Sequence, residues 1–448
     1  MIYLQSMTQA ELAELLYPLS RVKVRSEKEL SPDEYAAAVE KKARAQARYR
    51  AKQIFHWVYQ KFVTDWDSMS DLSKDLRVWL KENVAIFRLQ EKVARQALDG
   101  THKFLWQLGD GKTIESVIIP AALREKNAEE AFEADDEETD DDGAWVAGQS
   151  VEEAPQEVTP IREKTNPVEL TPSQFAGSQT EARLAGGEWK RLTVCISSQV
   201  GCAMACKFCL TGVQGLDRHL QTHEIVTQVL ELKRRAPITN VVFMGMGEPL
   251  HNLENVVKAC EILIDQDGMG LSKRKVTVST SGLVSGIAEL GKRANVSLAI
   301  SLNASNDEQR SQIMPVNKRW NIAQLLDACR QYPLGGHRRI TFEYVLLKDF
   351  NDTLEDAARV YKLLKGIPAK VNLIPFNEHP GSEFKRPDDE RVRAFQKYFL
   401  DRHMTATVRI SRGRDILAAC GQLRSVFGTA RGTDRHKDYV TVQSQPSA

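Results

Sequence analysis

The chain has no apolar run long enough to span a bilayer, and no secretory signal opens it. It is therefore expected to be cytoplasmic, with no membrane partner. Net charge is nearly absent, at +1 over 448 residues. That balance hides an uneven distribution. Glu125 to Lys164 hold fifteen Asp or Glu against three Lys or Arg, −12 in all, which leaves +13 on the remainder. A basic body of this kind attracts a polyanion such as RNA, although a scattered, solvated set of Lys and Arg gives the same sum. Cysteine is scarce too, at seven residues, and no disulfide framework is expected. The rest is ordinary for a folded protein: 42% hydrophobic and 27% charged, with length for two or three domains.

Three of the seven cysteines fall within eight residues, Cys202-Ala203-Met204-Ala205-Cys206-Lys207-Phe208-Cys209. A tight loop with that spacing lets three thiolates converge on one inorganic centre. Four cysteines would complete the shell of a 4Fe-4S cluster; three leave one iron open. An open iron can chelate the amino and carboxylate groups of S-adenosylmethionine (SAM) and pass an electron to its sulfonium. The alternative is a structural zinc site, which needs four ligands. The nearest candidates, His219 and His223, follow at no usual zinc spacing.

Residues 1–90 read as a helical domain. Thr8-Gln9-Ala10-Glu11 forms a capping box, and Ser31-Pro32-Asp33-Glu34 places a cap before a first-turn proline. Lys41, Lys42, Arg44, Arg48, Arg50 and Lys52 make a basic stripe, either a solvated or an RNA-contacting face. Ile54, Phe55, Trp57, Val58 and Phe62 follow at helical spacing and read as core. Residues 91–121 change to alternation. His102–Leu108 and Thr113–Ile119 flank Gly109-Asp110-Gly111, which predicts a β-hairpin packing on the next domain. Residues 122–187 are acidic and contain scattered prolines, so they read as a disordered insert without chemistry.

Residues 188–430 alternate apolar runs with helical patterns. Strands are predicted at Leu192–Ser197, Asn240–Met244, Lys275–Thr280, Val296–Leu302, Ile340–Leu346, Val371–Pro375 and Ala406–Ile410. Helices are predicted at His223–Arg234, Leu253–Asp265, Leu283–Lys292, Ile322–Gln331, Leu354–Leu364 and Asp388–Leu400. The fold class is α/β: a parallel sheet with crossover helices, closest to a partial (β/α)6 barrel. The cysteine loop directly follows the first of these strands, where such folds place their sites. Residues 431–448 read as a tail.

Three further stretches narrow the reading. Cys195-Ile196-Ser197-Ser198-Gln199-Val200-Gly201-Cys202, Met244-Gly245-Met246-Gly247-Glu248-Pro249-Leu250 and Arg414-Asp415-Ile416-Leu417-Ala418-Ala419-Cys420-Gly421-Gln422-Leu423 resemble the RlmN/Cfr family within the radical SAM superfamily. The chain most resembles the branch that methylates carbon-2 of adenosine in 23S ribosomal RNA and in tRNA. Tyr49-Arg50-Ala51-Lys52-Gln53-Ile54-Phe55-His56-Trp57 resembles the family's helical accessory domain, which implies RNA binding there. A carbon-8 methyltransferase shares most of these motifs, and a non-enzymatic iron–sulfur RNA-binding protein is the rival from another class.

The resemblance implies the site residues. Cys202, Cys206 and Cys209 would hold the 4Fe-4S cluster. Gly247, Glu248, Ser279, Ser301, Leu302, Asn303 and Asn377 would contact SAM, two of which are used per turnover. Asn303 stands where several relatives have histidine. Cys420 would take a methyl from one SAM. A 5′-deoxyadenosyl radical from the second would remove hydrogen from that methyl, and the carbon would add to the base. Cys195 would take the carbon-2 proton and close a transient disulfide with Cys420. Glu115 falls at a position assigned as a proton acceptor. Flavodoxin is the implied electron donor, and a monomer is the default. Cys260 and Cys329 match no motif and read as core.

Overall fold

A computed structural model describes residues 2–20, 22–23, 31–121, 168–170, 191–336, 338–379, 381–409 and 411–423. The N-terminal region is helical, as its caps require. Helix α1 (Gln9–Leu16) starts at a Thr8–Glu11 capping box, and α2 (Pro32–Phe55) at a Ser31–Glu34 box. Helix α3 is Lys74–Asn83. Ile54, Phe55 and Val58 are fully buried, while Lys41, Lys42, Arg48 and Lys52 face solvent. This region docks through Gln5, which bonds both ways with the Phe87 backbone, and through Ser6, 2.9 Å from His223 Nδ1.

The chain then builds one sheet of eleven strands. Strands β1 (Gln90–Gln96), β2 (His102–Gln107) and β3 (Thr113–Pro120) form an antiparallel meander. The predicted hairpin is thus β2–β3, joined by a third strand. It does more than pack on the next domain: β3 is hydrogen-bonded to the first barrel strand, with Val117 opposite Cys195.

Most of the 122–187 insert lies outside the described residues, as does the 431–448 tail. Val168–Leu170 departs from the expected disorder. It forms β4, antiparallel to the edge strand β1, with Ala94 opposite Leu170. An edge strand presents unpaired N–H and C=O groups, and three alternating residues suffice to use them.

The barrel comprises β5 (Leu192–Cys195), β6 (Asn240–Phe243), β7 (Val276–Thr280), β8 (Ser297–Ser301), β9 (Ile340–Leu346), β10 (Ala369–Pro375) and β11 (Ala406–Val408). Each pairs in parallel with the next. The crossover helices are α4 (Thr222–Lys233), α5 (Leu253–Ile264), α6 (Val284–Arg293), α7 (Asp307–Ile313) with α8 (Ile322–Arg330), α9 (Leu354–Leu364) and α10 (Asp389–Leu400). Six β/α units therefore run into a closing seventh strand. Helix α7 was not predicted, being short and polar. Val241, Val278, Ile300 and Phe342 are fully buried, as strands covered on both faces must be. No described helix is long and apolar enough to cross a membrane.

Phe342 has no exposed surface, whereas Val78 on α3 is 56% exposed. Phe342→Ala is expected to cost about 3–5 kcal/mol, and Val78→Ala less than about 0.5 kcal/mol, measured by urea unfolding of the cluster-free protein.

Candidate active site

The site is built where β5 and β6 end. Met246 O accepts from the backbone N–H groups of Ser198 and Gln199, and Gly245 N donates to Ile196 O at 3.0 Å. Ser197 Oγ accepts from Met246 N and donates to Glu115 O at 2.7 Å. No side chain fits at Gly245, where a Cβ would lie 2.7 Å from Ile196 O. Gly247 has φ +103, and its Cβ would lie 2.5 Å from Gln199 Cβ.

After β5, Gln199–Gly201 pairs antiparallel with Leu216–His219, and the cysteine loop hangs between these short strands. Gly201 is left-handed, with Gly215 O at 1.9 Å from any added Cβ. The loop is held from both sides. Lys207 N donates to Ile313 O at the end of α7, and Leu210 N donates to Gly421 O at 2.8 Å. Thr211 Oγ1 donates to Leu423 O at 2.6 Å. The C-terminal segment is thereby brought from about 200 residues away onto the cysteine loop.

Cys202, Cys206, Cys209 and Cys420 line one cavity of about 890 Å³, counted to its open mouth. Gly247, Glu248, Ser279, Ser301, Asn303 and Asn377 line the same cavity. Cys195, Leu302 and Glu115 do not. Cys195 ends β5 behind the wall, 4% exposed, and its thiol is pushed up to about 12 by burial and by the neighbouring Cys420. Leu302 contributes backbone only, donating to Glu343 O. Glu115 is buried with Oε1 3.1 Å from Lys103 Nζ, and Lys103 also donates to Leu417 O at 3.2 Å. The carboxylate expected to accept a proton thus faces an ammonium that supports the Cys420 segment.

The residues present fit both cofactors. Three free thiols line the cavity. Among the described residues, no three His, Cys, Asp or Glu converge closely enough to chelate a single ion. Tetrahedral zinc takes four ligands, whereas three thiols suit a 4Fe-4S cluster with one iron left open. SAM brings ammonium, carboxylate, hydroxyl and adenine groups. Facing them are buried polar atoms without hydrogen-bond partners: Ser281 Oγ, Asn377 Oδ1 and Glu343 Oε1. Glu248 accepts from Ser281 N at 2.7 Å and from Leu250 N at 3.0 Å, which fixes its carboxylate at the wall. Burial nevertheless raises its pKa. Asn303, at φ +56, accepts at Oδ1 from Val345 N at 2.9 Å. Its Nδ2 has only Met314 Sδ, at 3.4 Å, so a donor remains for a ligand.

Sequence reasoning missed two charged residues. Arg409, just beyond β11, lies beside Cys420 and 3.8 Å from Glu343 Oε1 on β9. Burial raises the Cys420 thiol, and Arg409 opposes that rise. A charged residue within each apolar strand pattern, Thr341-Phe342-Glu343-Tyr344 and Val408-Arg409, was the available signal.

The barrel, the three-thiol loop and the SAM-sized cavity define a radical SAM protein. Residues 196–363 match the family model for the radical SAM superfamily, and residues 41–86 match that for the ribosomal RNA large subunit methyltransferase N-terminal domain. The dual-specificity RNA methyltransferase RlmN of Geobacter sulfurreducens is 44% identical over 84% of this chain and 86% of its own. That of Syntrophotalea carbinolica is 46% identical over 84% of each. A solved structure of a radical SAM methyltransferase from Sphaerobacter thermophilus superposes with a TM-score of 0.68 at 36% identity, over 95% of this chain and 99% of that one. The chain belongs to the RlmN family.

Two outcomes follow from this geometry. Gly247→Ala is expected to weaken SAM binding at least tenfold by equilibrium dialysis, because its Cβ meets Gln199. Burial raises Cys329 to about 12 and also raises Cys260. An unfolded thiol titrates near about 8.5. Their contribution to stability is therefore complete below that pH and is lost as pH rises from there through the folded value. Cluster-free protein is expected to melt progressively lower above about pH 8.5, with a shallower decline in Cys329→Ala.

Proposed function

We propose that this chain methylates carbon-2 of adenosine in 23S ribosomal RNA and in tRNA. The observation that carries the reading is the meeting of Cys195 and Cys420, 225 positions apart in sequence, at the wall of the cavity beneath the cysteine loop. A cluster and SAM alone would need neither.

Carbon-2 of adenine is electron-poor and cannot attack a sulfonium methyl, so the carbon must arrive by another route. Cys202, Cys206 and Cys209 would hold a 4Fe-4S cluster, which together with SAM would supply one-electron chemistry. Cys420 Sγ carries the methyl carbon as a thioether and holds it in the cavity. Arg409 stabilises the thiolate that first accepts it. Asn377 Nδ2, 3.3 Å from Cys420 O, fixes that residue's backbone. Cys195 Sγ, as the thiolate, would take the carbon-2 proton and pass it to the transferred carbon as the Cys420 S–C bond breaks; the methylated base is freed, a Cys195–Cys420 disulfide forms, and one surplus electron is left for the cluster to take up. Gly247, Glu248, Ser279, Ser301, Leu302, Asn303 and Asn377 seat SAM. Glu115 orients Lys103 on the Leu417 carbonyl and so steadies the Cys420 segment. The exposed basic face of α2 meets RNA, whose base must be unstacked to expose carbon-2. A cytoplasmic monomer reduced by flavodoxin completes the reading.

The test is anaerobic loading with iron and sulfide, then incubation with SAM, reductant and a ribosomal RNA fragment. 5′-Deoxyadenosine and 2-methyladenosine are expected together by mass spectrometry. Methyl at carbon-8 would transfer the chain to the other branch of the family, and neither product from a loaded protein would overturn the reading. Cys420→Ala is expected to retain iron and sulfide and to lose at least 1,000-fold in methylated RNA; methylation by that variant would refute the role of Cys420.

A further inference from the structure

Arg310, on α7, has no exposed surface. Its guanidinium makes four hydrogen bonds, all to neutral acceptors: Leu302 O at 3.0 Å, Ser301 O at 3.1 Å, Ser281 O at 2.6 Å and Asn317 Oδ1 at 3.0 Å. Among the described residues, none forms an ion pair with it. Asp307, one turn earlier, accepts at Oδ1 from Ile322 N at 2.8 Å and from Asn317 Nδ2 at 3.0 Å. A buried cation without a counterion is costly, and the cost falls only when an anion is placed nearby.

The surroundings identify that anion. Ser281 and Ser301 line the cavity, so the guanidinium grips the backs of the segments that follow β7 and end β8. The end of its own helix accepts a hydrogen bond from Lys207 in the cysteine loop. Gly282 adds a steric signature: a Cβ there would lie 3.1 Å from Arg310 Nη2. Burial lowers Arg310 to about 10, so it stays charged at neutral pH, and the anion-forming group that acts on it most strongly is Cys206.

We propose that Arg310 is the fixed counter-charge of the iron–sulfur site and, through these four bonds together with the Lys207 N–Ile313 O bond at the end of its helix, the positioning residue that ties the SAM-binding backbone to the cysteine loop. Three thiolates on a cluster leave it net negative, and a buried positive charge beside it favours the reduced, more negative state. Lysine keeps the charge, but a single ammonium cannot serve acceptors spread over two strand ends and the turn that follows α7. The inference rests on the cluster-and-SAM reading above.

The experiment compares anaerobically loaded wild type with Arg310→Gln, Arg310→Met and Arg310→Lys, by redox titration followed by electron paramagnetic resonance and by SAM binding to the oxidised protein. Circular dichroism of the cluster-free forms checks folding. The neutral variants are expected to reduce only at more negative potential. Arg310→Lys is expected to keep a potential near wild type while binding SAM at least tenfold more weakly. Neutral variants with the wild-type potential would overturn the counter-charge. Should neither neutral variant fold, Arg310→Lys decides: wild-type SAM affinity overturns the positioning role, and a potential as negative as that of a cluster with no counter-charge overturns the other. A wild-type chain that takes up no 4Fe-4S cluster would refute the underlying reading instead, an outcome distinct from all of these.

Discussion

The hydrogen bonds that join the end of β5 to the end of β6 fix the whole site. Met246 O accepts two backbone donors from the β5 side, and Ser197 Oγ returns a bond to Met246 N while reaching back to β3. Because Gly245 and Gly247 lack side chains, the two loops close to backbone contact. The cysteine loop leaves from one of these ends and Glu248 sits on the other. Their separation is therefore set by main-chain bonds, which do not slacken as side chains change rotamer.

Around that junction, buried polar groups divide into satisfied and waiting. Gln228 shows the first kind: its amide accepts from Ser197 N and Ser116 Oγ and donates to Ser197 O. Ser281 Oγ, Asn377 Oδ1 and Glu343 Oε1 show the second. An unpaired buried polar atom costs of order 1–3 kcal/mol, and three around one cavity mark where stability has been given up for a ligand. The thiols follow the same division. Cys260 and Cys329 are buried away from the cavity, whereas Cys420 shares Arg409 with Glu343.

Much of this was legible in the sequence because period and punctuation agreed. The barrel strands fell within two residues of their predicted ends, since short apolar runs such as Val241–Phe243 are bounded by polar and turn residues. The cysteine spacing pointed to the loop, and the motif around Cys420 pointed to a fourth thiol that lines the same cavity. Other features depended on partners far along the chain. No local pattern reveals that β3 pairs with β5, which turns the hairpin from an appendage into part of the barrel sheet. Glu115 read as a proton acceptor from the position it shares with the family, but no local pattern reveals that Lys103, its cross-strand neighbour by one diagonal step, sits against that carboxylate. Arg310 escaped because a polar helix with one arginine resembles any surface helix.

The bonds from Leu210 and Thr211 to Gly421 and Leu423 also have a temporal meaning. A chain emerging from its ribosome completes the cysteine loop and the junction with β6 well before Cys420 exists. The metal-binding half of the cavity can thus form first, open on the side that the C-terminal segment later covers. The thiol that would react arrives last, as the closing wall. Maturation and reactivity are in this way separated by the order of synthesis, and a chain cut short before its final tenth would be an assembled vessel with nothing in it to be methylated.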